Sequence, residues 1–393
     1  MILSFLILNL SIQALNNKGG ILKLPRILED IGTTSYFTDA KRLTLNEIFN
    51  YNLARKKGLN PHSITKPPGC LLFFKIFLLL SKKIFDFISL SFLIPEKLRI
   101  YLPALQNYEI FSLILLSFII MILPSFLISF QKRFYKKNNI FLNFLWLSTP
   151  SLFLFVPSVD SIYPLFSFLS VVLFNQGLFE NNKKHLIVSG FISALFIYFT
   201  YIGLTVVLIN FFQFLFFLYK HKMKNFSRIL PYFFAILSFF AFIYLLSDFN
   251  VIQDFFIAKL ANNKCKASQR SHLIYLFYNL HELFFFSGIL SSYFFIKGIL
   301  FTNLNLRKLD KQGVISFSLF FSILLVIFMG IIKGEVDRVF IFLMPLLQLS
   351  SLKELKKSFE GKKEWFFILL LVQLLQIIIL KEFSLYLYIS ANP

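Results

Sequence analysis

The feature that most constrains this chain is the recurrence of apolar stretches of about 18 residues or more, separated by short polar loops. Each such stretch is long enough to cross a bilayer as an α-helix, whereas a membrane β-barrel would show segments of about 10 alternating residues. Charged residues form only 15% of the chain, against about a quarter in soluble domains. The sequence therefore predicts an all-α polytopic membrane protein, in which residues 1–393 form one transmembrane domain with about 10–12 transmembrane helices.

The net charge of +21 indicates membrane topology rather than nucleic-acid binding. Its Lys and Arg residues cluster in short loops between apolar stretches, where the positive-inside rule expects cytoplasmic loops. We therefore expect a multi-pass protein of the inner (plasma) membrane, surrounded by membrane lipids and without a nucleic-acid partner. The predicted cytoplasmic segments are residues 131–138, 180–185, 220–228, 303–312 and 353–363.

The alternating ends of the spans are then predicted to face the extracytoplasmic side. The first of these ends is a long polar loop, and such a loop near the start of a membrane protein is a common place for chemistry or for a partner. The second sizeable segment is residues 247–282, which include the polar stretch leading into the next span. The predicted outward segments are residues 16–69, 157–161, 198–203, 247–272 and 334–338.

Several apolar tracts have a less simple pattern. Residues 2–15 are interpreted as a first helix rather than as a cleaved signal. Residues 70–80 and 84–94 form either one interrupted span or an interfacial hairpin, because Lys82 and Lys83 separate them. Residues 186–219 are too long for one helix and predict two spans that turn near residues 198–203.

Two further tracts are predicted as simple spans. Residues 140–156 form an apolar run that ends before a proline, and residues 283–301 form another that ends before a basic loop. Each run has a length that suits one membrane-spanning helix.

Two aspartates are the strongest candidates for chemistry. Asp39 lies in Y-F-T-D-A of the first outward loop, where a carboxylate can act as a general base or bind a divalent cation. A solvated loop aspartate is the alternative. Asp160 lies in P-S-V-D-S-I-Y-P between two apolar stretches, and it is compatible with a functional acid or with a helix N-cap. Ser158 or Ser161 can fill the same capping role.

The short outward turn G-E-V-D-R carries Glu335, Asp337 and Arg338. An internal ion pair or anchoring at the membrane interface would explain these charges. Arg338, however, opens an apolar helix on the side opposite to the basic clusters. Its planar guanidinium can bind phosphate oxygens through two hydrogen bonds, so this turn is a candidate phosphate site.

Two weaker candidates lie near the ends of outward segments. Lys66 belongs to T-K-P-P-G, in which two prolines and a glycine predict a turn before the next apolar helix. His281 and Glu282 lie in an aromatic and polar stretch that leads into a span. Because adjacent helical residues point about 100° apart, these two side chains do not form a metal pair by themselves.

Several enzyme classes are disfavoured by missing motifs. The chain has no phosphate-binding loop, dinucleotide fingerprint, nucleophile elbow or H-E-x-x-H. Its two cysteines, Cys70 and Cys265, are too few for a cysteine-based zinc site or a disulfide framework. The motifs that do occur are Y-F-T-D-A at 36–40, T-K-P-P-G at 65–69, P-S-V-D-S-I-Y-P at 157–164, Y-N-L-H-E-L-F-F-F-S-G at 278–288 and G-E-V-D-R-V-F-I-F-L-M-P at 334–345.

In this order the motifs resemble bacterial membrane glycosyltransferases of the GT-C superfamily, such as the polyprenyl-phosphate-mannose-dependent mannosyltransferases. The resemblance implies transfer of a sugar from a polyprenyl-phosphate donor to a lipid, glycan or protein acceptor on the outer side. It matches Asp39 to the catalytic base, with Glu29 or Asp30 as fallbacks, and Asp160 to a later acid that assists with metal, acceptor or donor. A divalent cation is the one cofactor it allows. The expected donor-phosphate and acceptor contacts are Arg338, Glu335, His281 and Lys66.

The main alternative is a lipid-linked sugar flippase or another transporter. Transporters need polar or charged groups deep in the membrane and often have internal repeats. Here the charges lie mainly at span ends and no repeat is evident, which favours the enzyme. Lys75 and Asp86 would favour transport if they face a cavity. A non-catalytic assembly partner, the third reading, predicts no cavity that joins Asp39 to Asp160.

Overall fold

The structure is a computed structural model in which every described regular element is an α-helix or a 3-10 helix. The predicted first helix lies outside the described residues, apart from Leu10. The structure describes residues 24–29, 35–88, 105–135, 140–155, 158–221, 226–247, 249–263, 271–301, 309–330, 336–360 and 363–388, together with Leu10, Ile94, Glu96, Arg99 and Leu102.

The first outward loop folds into a compact cap of short helices. Thr44 starts one of them with a capping box, because its hydroxyl accepts from the Glu47 backbone N–H while the Glu47 carboxylate accepts from the Thr44 N–H. The loop packs through Tyr36 and Phe37, whose ring centroids lie 6.1 and 6.4 Å from that of Phe74. The loop helices are α1 (Leu24–Glu29), α2 (Tyr36–Arg42), α3 (Leu45–Phe49), α4 (Tyr51–Lys56) and α5 (Pro61–Ile64).

The next helix, α6 (Gly69–Ile88), is continuous through Lys82 and Lys83. It begins in contact with Tyr198 in the predicted outward turn, where a Cβ on Gly69 would overlap the Tyr198 carbonyl oxygen. It ends beside the first turn of α7 (Asn107–Tyr135), since the rings of Phe85 and Phe111 are 5.8 Å apart. The start of α7 is tied to the first outward loop, because Glu109 pairs with Lys41 over 2.9 Å. Since both ends of α6 therefore lie near predicted outward segments, α6 fits an interfacial helix better than a span, and no hairpin turn interrupts it.

Four described helices are long and apolar enough to cross a membrane. A fifth span results if the bent pair His272–Phe286 and Ile289–Phe301 is counted as one crossing. The protein is therefore an all-helical chain compatible with a polytopic membrane protein. The four helices are Val159–Glu180, Tyr201–Lys220, Phe226–Ser247 and Lys311–Phe328.

The predicted turn near residues 198–203 is confirmed. Helix α11 (Lys183–Phe199) ends there, and a 3-10 turn, Tyr201–Gly203, leads into α12 (Leu204–Lys220). Helix α11 packs closely on α13 (Leu230–Ser247), because a Cβ on Gly190 would overlap the Tyr232 carbonyl oxygen. The remaining helices in this part of the chain are α8 (Ile140–Leu147), α9 (Pro150–Phe155) and α10 (Tyr163–Glu180), with a 3-10 turn at Val159–Ile162 before α10.

Two predicted single spans contain a break. Residues 140–155 form α8 and α9, with a break at Ser148 and Thr149, whose hydroxyls donate to the Leu145 carbonyl. Residues 283–301 include a bend of 113° at Gly288, where φ is +96°. The remaining helices are α14 (Val251–Asn263), α15 (His272–Phe286), α16 (Ile289–Phe301), α17 (Lys311–Phe328), α18 (Val336–Val339), α19 (Met344–Ser358) and α20 (Lys363–Tyr388).

Polar contacts group the ends of the helices as the charge pattern predicts. Contacts between predicted outward segments are Lys66–Thr200, Arg55–Asp254 and Asp160–Arg338. Contacts between predicted cytoplasmic segments or their edges are Lys311–Glu180, Lys220–Leu309 and Lys353–Asp310.

Candidate functional site

Asp160 and Arg338 form an ion pair at the predicted outward end. Arg338 Nε lies 3.3 Å from Asp160 Oδ2, and the two side chains are 16% and 12% exposed. Asp160 lies in the 3-10 turn Val159–Ile162 and Arg338 lies in the short helix α18. The structure thus brings together two residues that the sequence predicts separately as an acid and a phosphate ligand.

The capping interpretation of this turn is not supported by its hydrogen bonds. Ser158 occupies the N-cap position, and its side chain makes no capping hydrogen bond. The hydroxyls of Ser158 and Ser161 are buried and have no hydrogen-bond partner among the described residues. Asp160 sits inside the first turn and turns its carboxylate to Arg338. Its role is therefore to pair with this arginine rather than to cap a helix.

Tyr36 of α2 lies within electrostatic reach of this ion pair. Burial raises the pKa of the Tyr36 phenol well above its usual range; nearby Cys70 and Asp160 raise it further, whereas Arg338 lowers it. The phenol is neutral at physiological pH, as an ordinary tyrosine is, and it can donate a hydrogen bond. Cys70 in turn lies 3.5 Å from the Tyr163 hydroxyl, measured from its sulfur. We call Tyr36, Cys70, Asp160, Tyr163 and Arg338 the outward cluster.

Lys66 is held next to the outward cluster by the T-K-P-P-G turn. Its Nζ donates to Thr200 Oγ1 over 3.0 Å, and Cys70 Sγ donates to the carbonyl of the adjacent Phe199 over 3.3 Å. The Tyr51 hydroxyl fixes the turn, because it lies 2.6 Å from the Ser63 carbonyl oxygen and 2.8 Å from that of Lys66. A second cation therefore approaches the outward cluster from the first loop.

Asp39 is bound within the loop. Its side chain is buried, and its two oxygens accept from the Asn60 backbone N–H at 3.1 Å, from Asn60 Nδ2 at 2.9 Å and from Arg42 Nη2 at 3.1 Å. These bonds fasten α2 to the segment before α5. Tyr36 lies one turn before Asp39 on the same helix, so the Asp39 bonds also fix Tyr36 at the outward cluster.

The other predicted site residues lie elsewhere or outside the described residues. Glu29 is half-buried in α1, and its carbonyl accepts from Thr38 Oγ1 over 3.2 Å. His281 is exposed on α15 and its ring stacks on Phe285, with 5.6 Å between centroids. Asp30 and Glu335 are not among the described residues.

Sequence reasoning missed a buried contact between the two large outward segments. Arg55 of α4 pairs with Asp254 of α14, and the Tyr201 hydroxyl donates to the same carboxylate. The Arg55 guanidinium also lies 4.6 Å from the centre of the Tyr51 ring. Burial raises the pKa of Asp254 while Arg55 opposes the shift. Each of the two segments carries several charges of both signs, so no sequence signal singles out this pair.

The described residues include no group of three or more His, Cys, Asp or Glu residues that could hold a metal ion. Of the two residues that would favour a transporter, Asp86 is exposed and Lys75 is half-buried on α6.

Comparison with known proteins identified no relative. No protein-family model matches this chain, and no curated protein or solved structure matches it either.

Proposed function

We propose that the protein is a GT-C-like glycosyltransferase that crosses the plasma (inner) membrane several times. It would transfer a sugar from a polyprenyl-phosphate donor to an acceptor on the extracytoplasmic side. The observation that carries the proposal is the ion pair between Asp160 and Arg338. A carboxylate next to a guanidinium offers both a proton acceptor and a phosphate ligand, which are the two groups that this transfer requires.

The proposed reaction uses these groups in one displacement. The acceptor hydroxyl attacks the anomeric carbon of the sugar, and the bond from that carbon to the phosphate oxygen breaks. The bonding electrons leave with the polyprenyl phosphate, whose charge is stabilised by Arg338 and Lys66. The hydroxyl proton passes to a carboxylate. A departing phosphate stabilised in this way needs no general acid.

Asp160 is the carboxylate that we assign as the base. Donor phosphate would compete for Arg338 and so release the Asp160 oxygens toward the acceptor. Asp39, in contrast, is fully buried and its oxygens already accept three hydrogen bonds from Asn60 and Arg42. We therefore propose that Asp39 is a positioning residue that holds Tyr36, and the assignment of Asp39 as the base stays a prediction that activity measurements decide.

The position of α6 supports entry of a lipid-linked donor from the bilayer. This helix begins at Tyr198 of an outward turn and ends beside the start of α7, where Glu109 pairs with Lys41 of the first loop over 2.9 Å. Its exposed side includes Ile76, Leu80 and Phe87. Lys82 and Lys83 are also exposed. Apolar residues flanked by lysines are typical of a helix that lies in the membrane interface. The polyprenyl chain can then stay in the bilayer while its sugar phosphate reaches Lys66, so no nucleotide-binding motif is needed.

A transporter is the second candidate because polar side chains do lie inside the helix bundle. Asn210 Nδ2 donates to Ser170 Oγ and to the Tyr232 hydroxyl, both at 3.1 Å, and Asn210 Oδ1 accepts from Gln213 Nε2 at 3.0 Å. These groups are uncharged and bond one another, as helix-packing networks in membranes do. We therefore favour the enzyme.

The experiment that separates the two functions follows the sugar and the lipid independently. Purified protein in liposomes would receive polyprenyl-phosphate sugars labelled in the sugar, with a membrane extract as acceptor source. The enzyme predicts label on a new acceptor and release of free polyprenyl phosphate. A flippase predicts intact donor that changes leaflet without either product, and that result would refute the proposal.

The matched control replaces an acidic residue at the predicted cytoplasmic end, opposite to Asp160. Glu180 forms an exposed ion pair with Lys311 over 2.8 Å. Asp160→Asn should remove product formation, whereas Glu180→Gln should retain the wild-type rate. Equal loss in both variants would mean that the assay reports folding rather than chemistry.

A further inference from the structure

An open groove of about 620 Å³ lies at the predicted cytoplasmic end, between the first turns of α11 and α13. Its volume falls within the range of small-molecule sites, which is about 300–1,000 Å³. Lys183 and Arg228 line its polar side, with Asn181. Leu230 and Phe234 line its apolar side and are 59% and 70% exposed.

The groove is cationic. None of its nine lining residues is acidic. Arg228 Nη1 donates to the Leu178 carbonyl over 2.9 Å, and its guanidinium lies 5.3 Å from the centre of the Phe217 ring. Because a guanidinium has five N–H donors, this anchored arginine keeps others for an anion. Lys183 is exposed at the start of α11, where the helix dipole adds to its positive charge.

A second groove at the predicted cytoplasmic end differs from the first, because acidic residues line it as well as lysines. Its volume is about 610 Å³, and Lys353, Lys356 and Lys357 line it together with Asp310 and Glu360. Lys353 is already paired with Asp310 over 3.2 Å. The two acids compensate the lysines there, so the groove between α11 and α13 is the better anion site.

The apolar side of the first groove continues along the bundle surface. Ile187 lines the groove and Phe191 follows it one turn later on α11; they are 45% and 51% exposed. Phe234 and Leu237 form the facing wall on α13 and are 70% and 68% exposed. The two helices approach closely at Gly190, where a Cβ would overlap the Tyr232 carbonyl oxygen. An anion with an attached hydrocarbon chain fits this combination better than a soluble anion does.

We propose that this groove binds an anionic phospholipid of the cytoplasmic leaflet. Lys183 and Arg228 bind its headgroup phosphate, and an acyl chain lies against Ile187 and Phe234. Basic pockets between transmembrane helices on the cytoplasmic side recognise anionic headgroups in this way. The inference does not depend on sugar transfer, since it involves neither the outward cluster nor the first loop.

The test measures lipid binding by the purified full-length protein. Native mass spectrometry after addition of phosphatidylglycerol or phosphatidylcholine gives the dissociation constant of each lipid. Wild-type protein should bind phosphatidylglycerol more tightly than phosphatidylcholine. Lys183→Gln should weaken phosphatidylglycerol binding roughly fivefold, the effect of about one lost basic contact, and should leave phosphatidylcholine binding unchanged.

Two further variants keep the test decisive. Ser227→Trp leaves every charge in place but fills the groove, and it should weaken phosphatidylglycerol binding as well. Lys357→Gln changes a lysine of the second groove and should bind both lipids like the wild type. Equal affinities in the wild type and Lys183→Gln would overturn the proposal. So would displacement of the lipid by millimolar inorganic phosphate, which would identify a site for a soluble anion.

Discussion

Arg338 Nε lies 3.3 Å from Asp160 Oδ2, which links two short turns from opposite halves of the chain. Both side chains are largely buried, and two charges removed from water must compensate each other. A buried pair contributes little net stability but makes the loss of either partner costly. The same property suits a site in which an incoming phosphate takes over one partner.

The first prediction concerns the coupling of this pair. Arg338→Gln leaves the Asp160 carboxylate without its cation and should lower the free energy of unfolding by about 3 kcal/mol. Adding Asp160→Asn should restore part of that loss, because the uncompensated charge disappears. Reversible unfolding in bicelles gives the free energies for the double-mutant cycle.

An exposed ion pair provides the control for that cycle. Lys311 and Glu180 are 51% and 48% exposed, so their coupling should be below about 1 kcal/mol. A coupling between Asp160 and Arg338 that is no larger than this value would contradict the burial of the pair.

The second prediction concerns Asp39 as a positioning residue. Asp39→Asn weakens the hydrogen bonds from Asn60 and Arg42, and bonds to a charged group are worth about 1.5–3 kcal/mol each. Hydrogen exchange should therefore become faster for the backbone amides of residues 36–60. If exchange is unchanged while sugar transfer is abolished, Asp39 is the base and the positioning role is wrong.

The third prediction concerns pH and the capping box of α3. The hydrogen bond from Lys57, followed by that from the Thr44 N–H, lowers the pKa of Glu47 from 4.5 to about 2. Because the folded pKa lies below the unfolded value, the contribution of Glu47 is complete above pH 4.5 and is lost as the pH falls through about 2. Amide exchange of residues 44–57 between pH 5 and pH 2 measures this loss. The same pH dependence in Glu47→Gln would show that another group is responsible.

The fourth prediction concerns the polar network inside the bundle. Asn210→Leu removes three hydrogen bonds and leaves the Ser170 and Tyr232 hydroxyls with fewer partners. Two of these bonds, to Ser170 and Tyr232, join different helices. Interhelical hydrogen bonds in membranes average about 0.6 kcal/mol, so we expect a loss of about 1 kcal/mol. Unfolding in bicelles measures it, with Asn46→Leu on the exposed face of α3 as the control. A stability equal to the wild type would show that the network does not hold the helices together.

Hydropathy and charge predicted the helical class, the turn after α11 and the grouping of the helix ends, because these depend on local composition. They failed at residues 140–156, where Pro150 has no backbone N–H to continue α8 and instead begins α9. The carbonyls freed at this break accept from distant side chains. Gln348 Nε2 donates to the Leu145 carbonyl, and Gln373 Nε2 donates to the Ser148 carbonyl over 2.7 Å. No local pattern near residue 148 reports those side chains.

In the candidate site, too, local sequence patterns predicted some residues, whereas residues placed by the fold of the loop gave weaker signals. Asp160 and Arg338 stand out in the sequence because charges are rare at the ends of apolar stretches. Tyr36 was visible only as part of a motif, since its place beside Asp160 depends on how the loop folds. Asn60 gave no signal at all, although it binds both oxygens of Asp39.

The most direct test of the central claim measures donor binding and turnover separately in the same liposomes. Arg338→Gln should weaken binding of the polyprenyl-phosphate sugar, because it removes a phosphate ligand. Asp160→Asn should bind the donor at least as well as the wild type and yet form no product. Product formation by Asp160→Asn at the wild-type rate, or donor binding that is unchanged in Arg338→Gln, would contradict the assignment of this pair as the site of sugar transfer.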